Sequence, residues 1–212
     1  MKKAIIFLHG DLADVSRMSK YADKEDFIIC ADGGVEHALA LGCSPDVVIG
    51  DMDSISKESE SKLKGEETKF IRFSRDKNES DGELAVDYAV DQGYTKIIIF
   101  GLLGRRIDHV IANLFLPMIF QDDGVDIRLI EGDQEIFIVR EYAEIKGTIG
   151  DQISFIPIKG DAEGVTTKGL KFPLKNENLQ FGYSRGLSNV FASPAVIISL
   201  KKGELLVVHN RK

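Results

Sequence analysis

Up to about residue 130, the chain alternates short, continuously apolar runs with stretches of helical spacing. The runs are Ala4–Leu8, Phe27–Ala31, Val47–Ile49, Phe70–Phe73, Ile97–Phe100 and Ile127–Ile130. Most are apolar at every position and so have no wet face, which predicts a mainly parallel sheet covered on both sides. Between them, Ser80-Asp81-Gly82-Glu83 has the form of a capping box. Behind it Leu84/Tyr88, Ala85/Ala89 and Val86/Val90 recur four apart, and Gly93 supplies a stop. Val35 to Leu41 before Gly42, and Val110 to Phe120, read as further helices. Strand and helix in alternation define an open α/β sheet.

After Glu131 the period changes. Glu135–Val139, Gln152–Pro157, Ala195–Leu200 and Glu204–His209 are strand-like, with Gly or Pro turns between them and no long helical period. Lys168 to Gly186 reads as loop. The expected organisation is therefore two domains. Residues 1–131 form an α/β domain with an open, mainly parallel sheet and helices on both faces; residues 132–212 form an all-β sandwich.

Composition narrows the partners. The 212 residues are 43% hydrophobic and 29% charged, ordinary for a globular chain with a sizeable core. The formal net charge of -7 argues against non-specific binding to nucleic acid or to an anionic membrane. Cys30 and Cys43 have neither CxxC spacing nor a His partner at ligand spacing, so reduced, packed thiols are expected. The apolar run after Met1-Lys2-Lys3 is too short for a signal peptide and no transmembrane segment is evident, so a cytoplasmic location is expected.

The chemistry lies where strands end. In an open parallel sheet, ligands bind beyond the carboxyl ends of the strands. After the second run comes Ala31-Asp32-Gly33-Gly34, and after the third Gly50-Asp51-Met52-Asp53-Ser54. After the fourth comes Ser74-Arg75-Asp76-Lys77-Asn78-Glu79-Ser80-Asp81, and after the fifth Gly101 to Asn113, with Arg105, Arg106, Asp108 and His109. On this topology Asp32, Asp51, Asp53, Asp81 and Asp108 converge on one edge. Two carboxylates about 4 Å apart repel by roughly 4 kcal/mol at an effective dielectric of about 20. Several together would shift their pKa values or splay apart unless a cation holds them, and oxygen-only ligands suit Mg²⁺ with its waters and a nucleotide's phosphates. Asp51 and Asp53, two apart in an extended segment, would share a face and suit that role. Arg106, Lys77 and Arg75 are placed to contact phosphate oxygens, and helix N-termini at the same edge favour anions.

Each turn also has a plainer reading. Asp32-Gly33-Gly34 is a turn, Ser80 caps a helix, Asp81 complements that helix's dipole, Asp108 caps a helix starting at His109, and His9, His37 and His209 are surface or structural. There is no P-loop, no Gly-x-Gly-x-x-Gly after a strand, no Gly-x-Ser-x-Gly elbow and no His/Cys metal spacing. The residues by themselves define a Mg²⁺-dependent α/β enzyme that handles phosphoryl groups or nucleotides.

Taken in order, the same turns resemble the thiamine pyrophosphokinase family. The matching pieces are Ala31-Asp32-Gly33-Gly34, Pro45-Asp46 with Gly50-Asp51-Met52-Asp53-Ser54, and Asp76-Lys77 with Ser80-Asp81 and Glu83. Gly104-Arg105-Arg106-Ile107-Asp108-His109 through Asn113 and Ser184-Arg185-Gly186-Leu187-Ser188-Asn189 complete the set. The resemblance spans nearly the whole chain. It implies transfer of a pyrophosphoryl group from ATP to the hydroxyethyl group of thiamine, with release of AMP. It also implies a catalytic α/β domain, a thiamine-binding and dimerising β-sandwich, and a homodimer with active sites at the subunit boundary. By position, Asp51 and Asp53 match metal and pyrophosphate-site acids, with Asp81 a third metal candidate. Ser80-Asp81 matches the family's Thr/Ser-Asp pair, and Arg106 and Asp108 its Arg-x-Asp-His motif with His109. Asp32, Gly33, Lys77 and Ser184 fall in matching segments as candidate binding residues, and Ser188-Asn189 falls where a Ser-Asn pair helps form the thiamine pocket. Asn78, Glu79 and Arg105 depart from the family pattern, where an acid, a hydrophobic residue and Gly are common.

Phosphoryl transfer is catalysed mainly by positioning and charge neutralisation. Asp81 and Asp108 are both candidates to accept the alcohol's proton. A thiazolium is cationic and stacks on aromatic rings, and Phe172, Phe181, Tyr183 and Phe191 lie in the second domain. Two competing readings are a pyrophosphokinase for another small alcohol, such as a hydroxymethylpterin, and a non-catalytic sensor of nucleotide or thiamine.

Overall fold

The computed structural model describes residues 3–11, 20–23, 25–120 and 124–212; Met1 and Lys2 of the lysine-rich start lie outside them. The chain divides into two compact units, Met1–Gly132 and Asp133–Lys212.

The first unit contains six parallel strands: β1 (Lys3–Phe7), β2 (Phe27–Ala31), β3 (Val47–Gly50), β4 (Lys69–Arg72), β5 (Lys96–Phe100) and β6 (Asp126–Glu131). Their order is β6-β5-β1-β2-β3-β4. Alternate residues bury opposite faces. Ile5, Phe7, Ile28, Cys30, Val48, Ile98 and Phe100 pack with Val35 and Ala38 of α1 (Gly34–Ala40) and Leu63 of α2 (Lys57–Lys64). Ala4, Ile6, Ile29, Ile49, Ile97 and Ile99, the intervening positions, are as deeply buried. Helix α3 (Asp81–Asp91) packs on β1, β2 and β3 through a face that includes Ala85, Val86 and Ala89, and against α4 (Ile107–Ile119). Two buried faces explain why most of these strands read as apolar throughout, whereas β4, at the end of the order, is exposed or half-buried at every position.

Ser80 caps α3 as its spacing predicts, its Oγ accepting from the Glu83 amide at 3.1 Å. Helix α4 starts earlier than expected: Arg106 is its N-cap, so Asp108 lies inside the first turn rather than at the cap.

The second unit is antiparallel. Strands β7 (Gln134–Val139), β9 (Gln152–Pro157), β12 (Asn189–Val190) and β14 (Leu205–Asn210) lie in the order β12-β9-β14-β7. Strands β8 (Tyr142–Lys146), β10 (Ala162–Lys168), β11 (Glu177–Leu179) and β13 (Ala195–Ser199) form a second sheet, β11-β10-β13-β8. One apolar core fills this unit, with Phe137, Phe155, Val165, Phe191, Val196 and Val207 among its members. Phe191, a sequence candidate for stacking on a ligand, is 1% exposed and stacks instead on His209, with ring centroids 4.8 Å apart.

His209 is fully buried and its Nε2–H donates to Asp151 Oδ2 at 2.9 Å. Asp151 also accepts from the amides of Thr148 at 2.8 Å and Lys212 at 3.1 Å. Burial pushes the Asp151 carboxyl up, but these amides and His209 outweigh it and hold the group below its usual range. Burial holds His209 below its ordinary 6.5. The folded chain therefore binds fewer protons than the unfolded one as pH falls through about 6.5, so stability falls with it. Replacing His209 by Gln should lower the unfolding free energy at about pH 7 by about 1–3 kcal/mol, read from urea denaturation. It should also flatten the loss of stability between about pH 7 and about pH 5, because the protons taken up by the unfolded imidazole are removed.

Candidate functional site

An open cleft of about 950 Å³ lies in the first unit, lined by residues that follow β1, β2, β3, β4 and β5. The strand order creates it. From β1 the chain runs outward through β2, β3 and β4, then returns to place β5 on the other side of β1. The turns after β1 and β5 are fastened by backbone bonds, Leu8 N to Phe100 O at 2.9 Å and Gly10 N to Gly101 O at 2.9 Å. A Cβ on Gly10 would meet the Leu103 carbonyl oxygen at 2.0 Å, so glycine is required there.

Asp32 follows β2 at a φ of 47°, a left-handed conformation that aspartate tolerates. It is 8% exposed, and its Oδ1 is buried with no hydrogen-bond partner among the described residues. After β3, Gly50 has a φ of 148°, and a Cβ there would meet Asp32 Cβ at 3.1 Å and Asp81 Oδ1 at 3.3 Å. Gly50 is thus the space between two acids. The expectation of an extended Asp51-x-Asp53 segment does not hold: Met52 is buried at a φ of 69° and turns the chain. The turn closes with the Asp53 amide donating to Asp51 Oδ1 at 3.0 Å.

Oxygens of Asp32, Asp51 and Asp53 lie within 4.8 Å of one another. Asp81 stands apart from this trio, its Oδ1 holding the Lys77 ammonium. Arg75 donates from Nε to Asp51 Oδ2 at 3.0 Å and from its terminal nitrogen to Asp53 Oδ2. Buried carboxylate oxygen without a donor, beside two further carboxylates, suits a hard divalent cation. Asp32, Asp51 and Asp53 are the residues that would hold it.

The cleft also brings together the candidates Lys77, Ser80, Arg106 and His109, with Arg105, Asn78 and Glu79 among the departures. Asp108 and Gly33 are not among the lining residues. Asp108 is exposed and pairs with Arg106 through Nε at 3.2 Å and a terminal nitrogen at 2.5 Å. Hydrogen bonding from Arg106 draws the Asp108 carboxyl below its usual range and raises the guanidinium in return. Gly33 has a structural task, since a Cβ there would run into the His9 ring at 2.6 Å.

The reading of strand ends omitted the turn after β1, and with it His9, Gly10 and Asp11, all of which line the cleft. The rule that found the other turns applies equally to this one. His37 supports it: burial keeps the imidazole below its ordinary value, and Nε2–H donates to the Gly10 carbonyl at 2.6 Å.

The remaining candidates lie in the second unit. Asn189 is buried, and its side chain is taken up by backbone: Oδ1 accepts from Phe172 N at 3.1 Å, and Nδ2 donates to Phe172 O at 2.6 Å. Ser184 and Ser188 are exposed, the latter at a φ of 55° with its amide donating to Ser154 Oγ at 3.0 Å. Phe172, Phe181, Tyr183 and Leu187 form an exposed apolar group nearby in sequence.

A parallel α/β unit with an acidic cleft at its carboxyl edge, followed by an antiparallel β unit, is the class defined so far. The family model described as thiamin pyrophosphokinase, catalytic domain, matches residues 18–129, and the thiamin pyrophosphokinase vitamin B1 binding domain matches residues 136–205. The chain belongs to the thiamin pyrophosphokinase family. Thiamine pyrophosphokinase from Bacillus subtilis is 29% identical over 212 residues, covering 99% of each chain. Its crystal structure superposes with a TM-score of 0.90 at 27% identity, over 100% of both chains. The fold extends to thiamin pyrophosphokinase from Candida albicans, with a TM-score of 0.82 at 15% identity, covering 99% of this chain and 90% of that one.

Replacing Gly50 by Ala should cost about 1–3 kcal/mol through its strained backbone. The added Cβ, 3.1 Å from Asp32 Cβ, should also push Asp32 away from Asp51 and Asp53 and weaken Mn²⁺ binding, which urea denaturation and Mn²⁺ titration would read independently.

Proposed function

We propose that the chain is a thiamine pyrophosphokinase, transferring the terminal diphosphate of ATP to the primary alcohol of thiamine and releasing AMP. The observation that carries this is the gathering of Asp32, Asp51 and Asp53 in a cleft that also presents Arg75, Lys77 and Arg106, in a member of this family. A bound Mg²⁺ would neutralise charge on the transferring phosphates.

The chain's own residues do the rest. Lys77, fixed over the Phe73 ring at 5.4 Å and against Asp81, is a point charge for a phosphate oxygen. Arg106 reaches the cleft from the start of α4 and offers a planar fork. Both acids hold a cation, but Asp81 is the better base of the two considered, because it lines the cleft and Asp108 does not. His37, through Gly10, holds the β1 turn that closes one wall. Phe172, Phe181 and Tyr183 are the exposed rings available to a thiazolium.

A homodimer belongs to this reading. In its support, Ile107, Ile111, Phe115 and Ile119 recur four apart along α4 and are all exposed, an apolar row that favours burial against another surface. A cytoplasmic setting is supported by Cys30 and Cys43, which are free thiols. Among the described residues, no helix is long and apolar enough to cross a membrane.

With ATP and Mg²⁺, the purified chain should release AMP only when thiamine is added. Turnover of a hydroxymethylpterin instead would move the assignment to another alcohol, and binding without turnover would make it a sensor. Asp53→Asn and Asp81→Asn should each lower turnover on the order of 10²-fold or more with an unchanged circular dichroism spectrum. A wild-type rate in either would remove that residue from the site.

A further inference from the structure

Asp51 and Asp53 share one cationic side chain. Arg75, on the loop between β4 and α3, spans both carboxylates, donating to the Oδ2 atom of each. Its side chain is 69% exposed, against 21% for Asp51 and 43% for Asp53. The guanidinium thus reaches in from solvent and covers the outer side of the acid pair. Asp32, with its Oδ1 buried and unpartnered, completes the trio of acids.

The other cation of the same loop behaves differently. Lys77 is 15% exposed and held between the Phe73 ring and Asp81. Lys77 is a fixed charge, whereas Arg75 has room to move. A divalent cation on Asp51 and Asp53 would use oxygens the guanidinium now occupies, and two positive groups cannot share them a few ångströms apart without strong repulsion. A guanidinium fork fits a phosphate as well as a carboxylate pair, so displaced Arg75 has a second partner wherever a nucleotide's phosphates enter the cleft.

Resting on the metal reading above, we propose that Arg75 is an exchangeable counter-ion. It holds Asp51 and Asp53 in the metal-free protein, gives them up to a divalent cation, and then pairs with a phosphate oxygen. Free metal therefore binds against Arg75, while metal arriving with a nucleotide supplies the guanidinium with a new partner. Arg75 is a positioning residue, and its effect is on binding order.

The test is Mn²⁺ binding to the intact chain, read by electron paramagnetic resonance with and without a non-hydrolysable ATP analogue. Arg75→Ala should bind free Mn²⁺ about two- to tenfold more tightly than the wild type, the range expected from removing exposed ion pairs. The same variant should bind the Mn²⁺–analogue complex more weakly, and Arg75→Lys, which keeps the charge without the fork, should fall between. Free Mn²⁺ bound no more tightly by Arg75→Ala, while Asp53→Asn loses it, overturns the proposal and leaves the metal site standing. Analogue binding unchanged in Arg75→Ala overturns the transfer to phosphate. Mn²⁺ bound as tightly by Asp53→Asn as by the wild type overturns the metal reading and the proposal with it.

Discussion

Like-charge repulsion at one end of a parallel sheet is the constraint to which the rest of the first unit is fitted. Asp32, Asp51 and Asp53 bring carboxylate oxygens within 4.8 Å of one another, a range at which like charges repel. One loop supplies the compensation, with Arg75 on the exposed pair and Lys77 on Asp81. Asp32 alone of these acids keeps a buried oxygen with no hydrogen-bond partner among the described residues. A site assembled this way favours ligands that bring both signs at once, as a metal–polyphosphate complex does.

Holding the acids together requires backbone geometry that ordinary residues resist. Asp32 and Met52 adopt left-handed conformations, and Gly50 leaves out the side chain that would part Asp32 from Asp81. Such strain persists only where surrounding structure enforces it. Here the two buried faces of the sheet do so, together with the backbone bonds fastening the turn after β1 to the turn after β5.

Much of this was legible in the sequence. A strand buried on both faces announces itself as an unbroken apolar run, so the six parallel strands could be read and the turns after four of them located. Helix α2 was not legible, because Lys-Glu-Ser-Glu-Ser-Lys-Leu-Lys buries only Ser59 and Leu63 and so has almost no apolar period. Strands β8 and β10 were missed for a related reason: β8 exposes Tyr142, Glu144 and Lys146, and β10 is broken by Gly164 at a φ of 67°. The site was legible as a set of turns but not as a set of partners. Spacing cannot say that Asn189 spends its amide on the Phe172 backbone, that Asp151 and His209 meet across 58 positions, or that Asp32 rather than Asp81 joins Asp51 and Asp53. Those depend on register and on positive φ values, which leave little trace in residue type unless the residue is glycine.

The placing of β14 has a consequence for how the second unit is made. This strand follows every other strand of its unit in the chain, yet it lies between β7 and β9, paired along six residues with each. Until Asn210 is available, β7 and β9 each have an unsatisfied edge and the core around Phe155 lacks Leu205 and Val207. The six parallel strands of the first unit, by contrast, have all been made by Glu131. Synthesis from the N-terminus therefore presents all six parallel strands while the second unit still has open strand edges of the kind that recruit other chains. The sandwich cannot form piecemeal, and its folding is gated by the arrival of a single late strand.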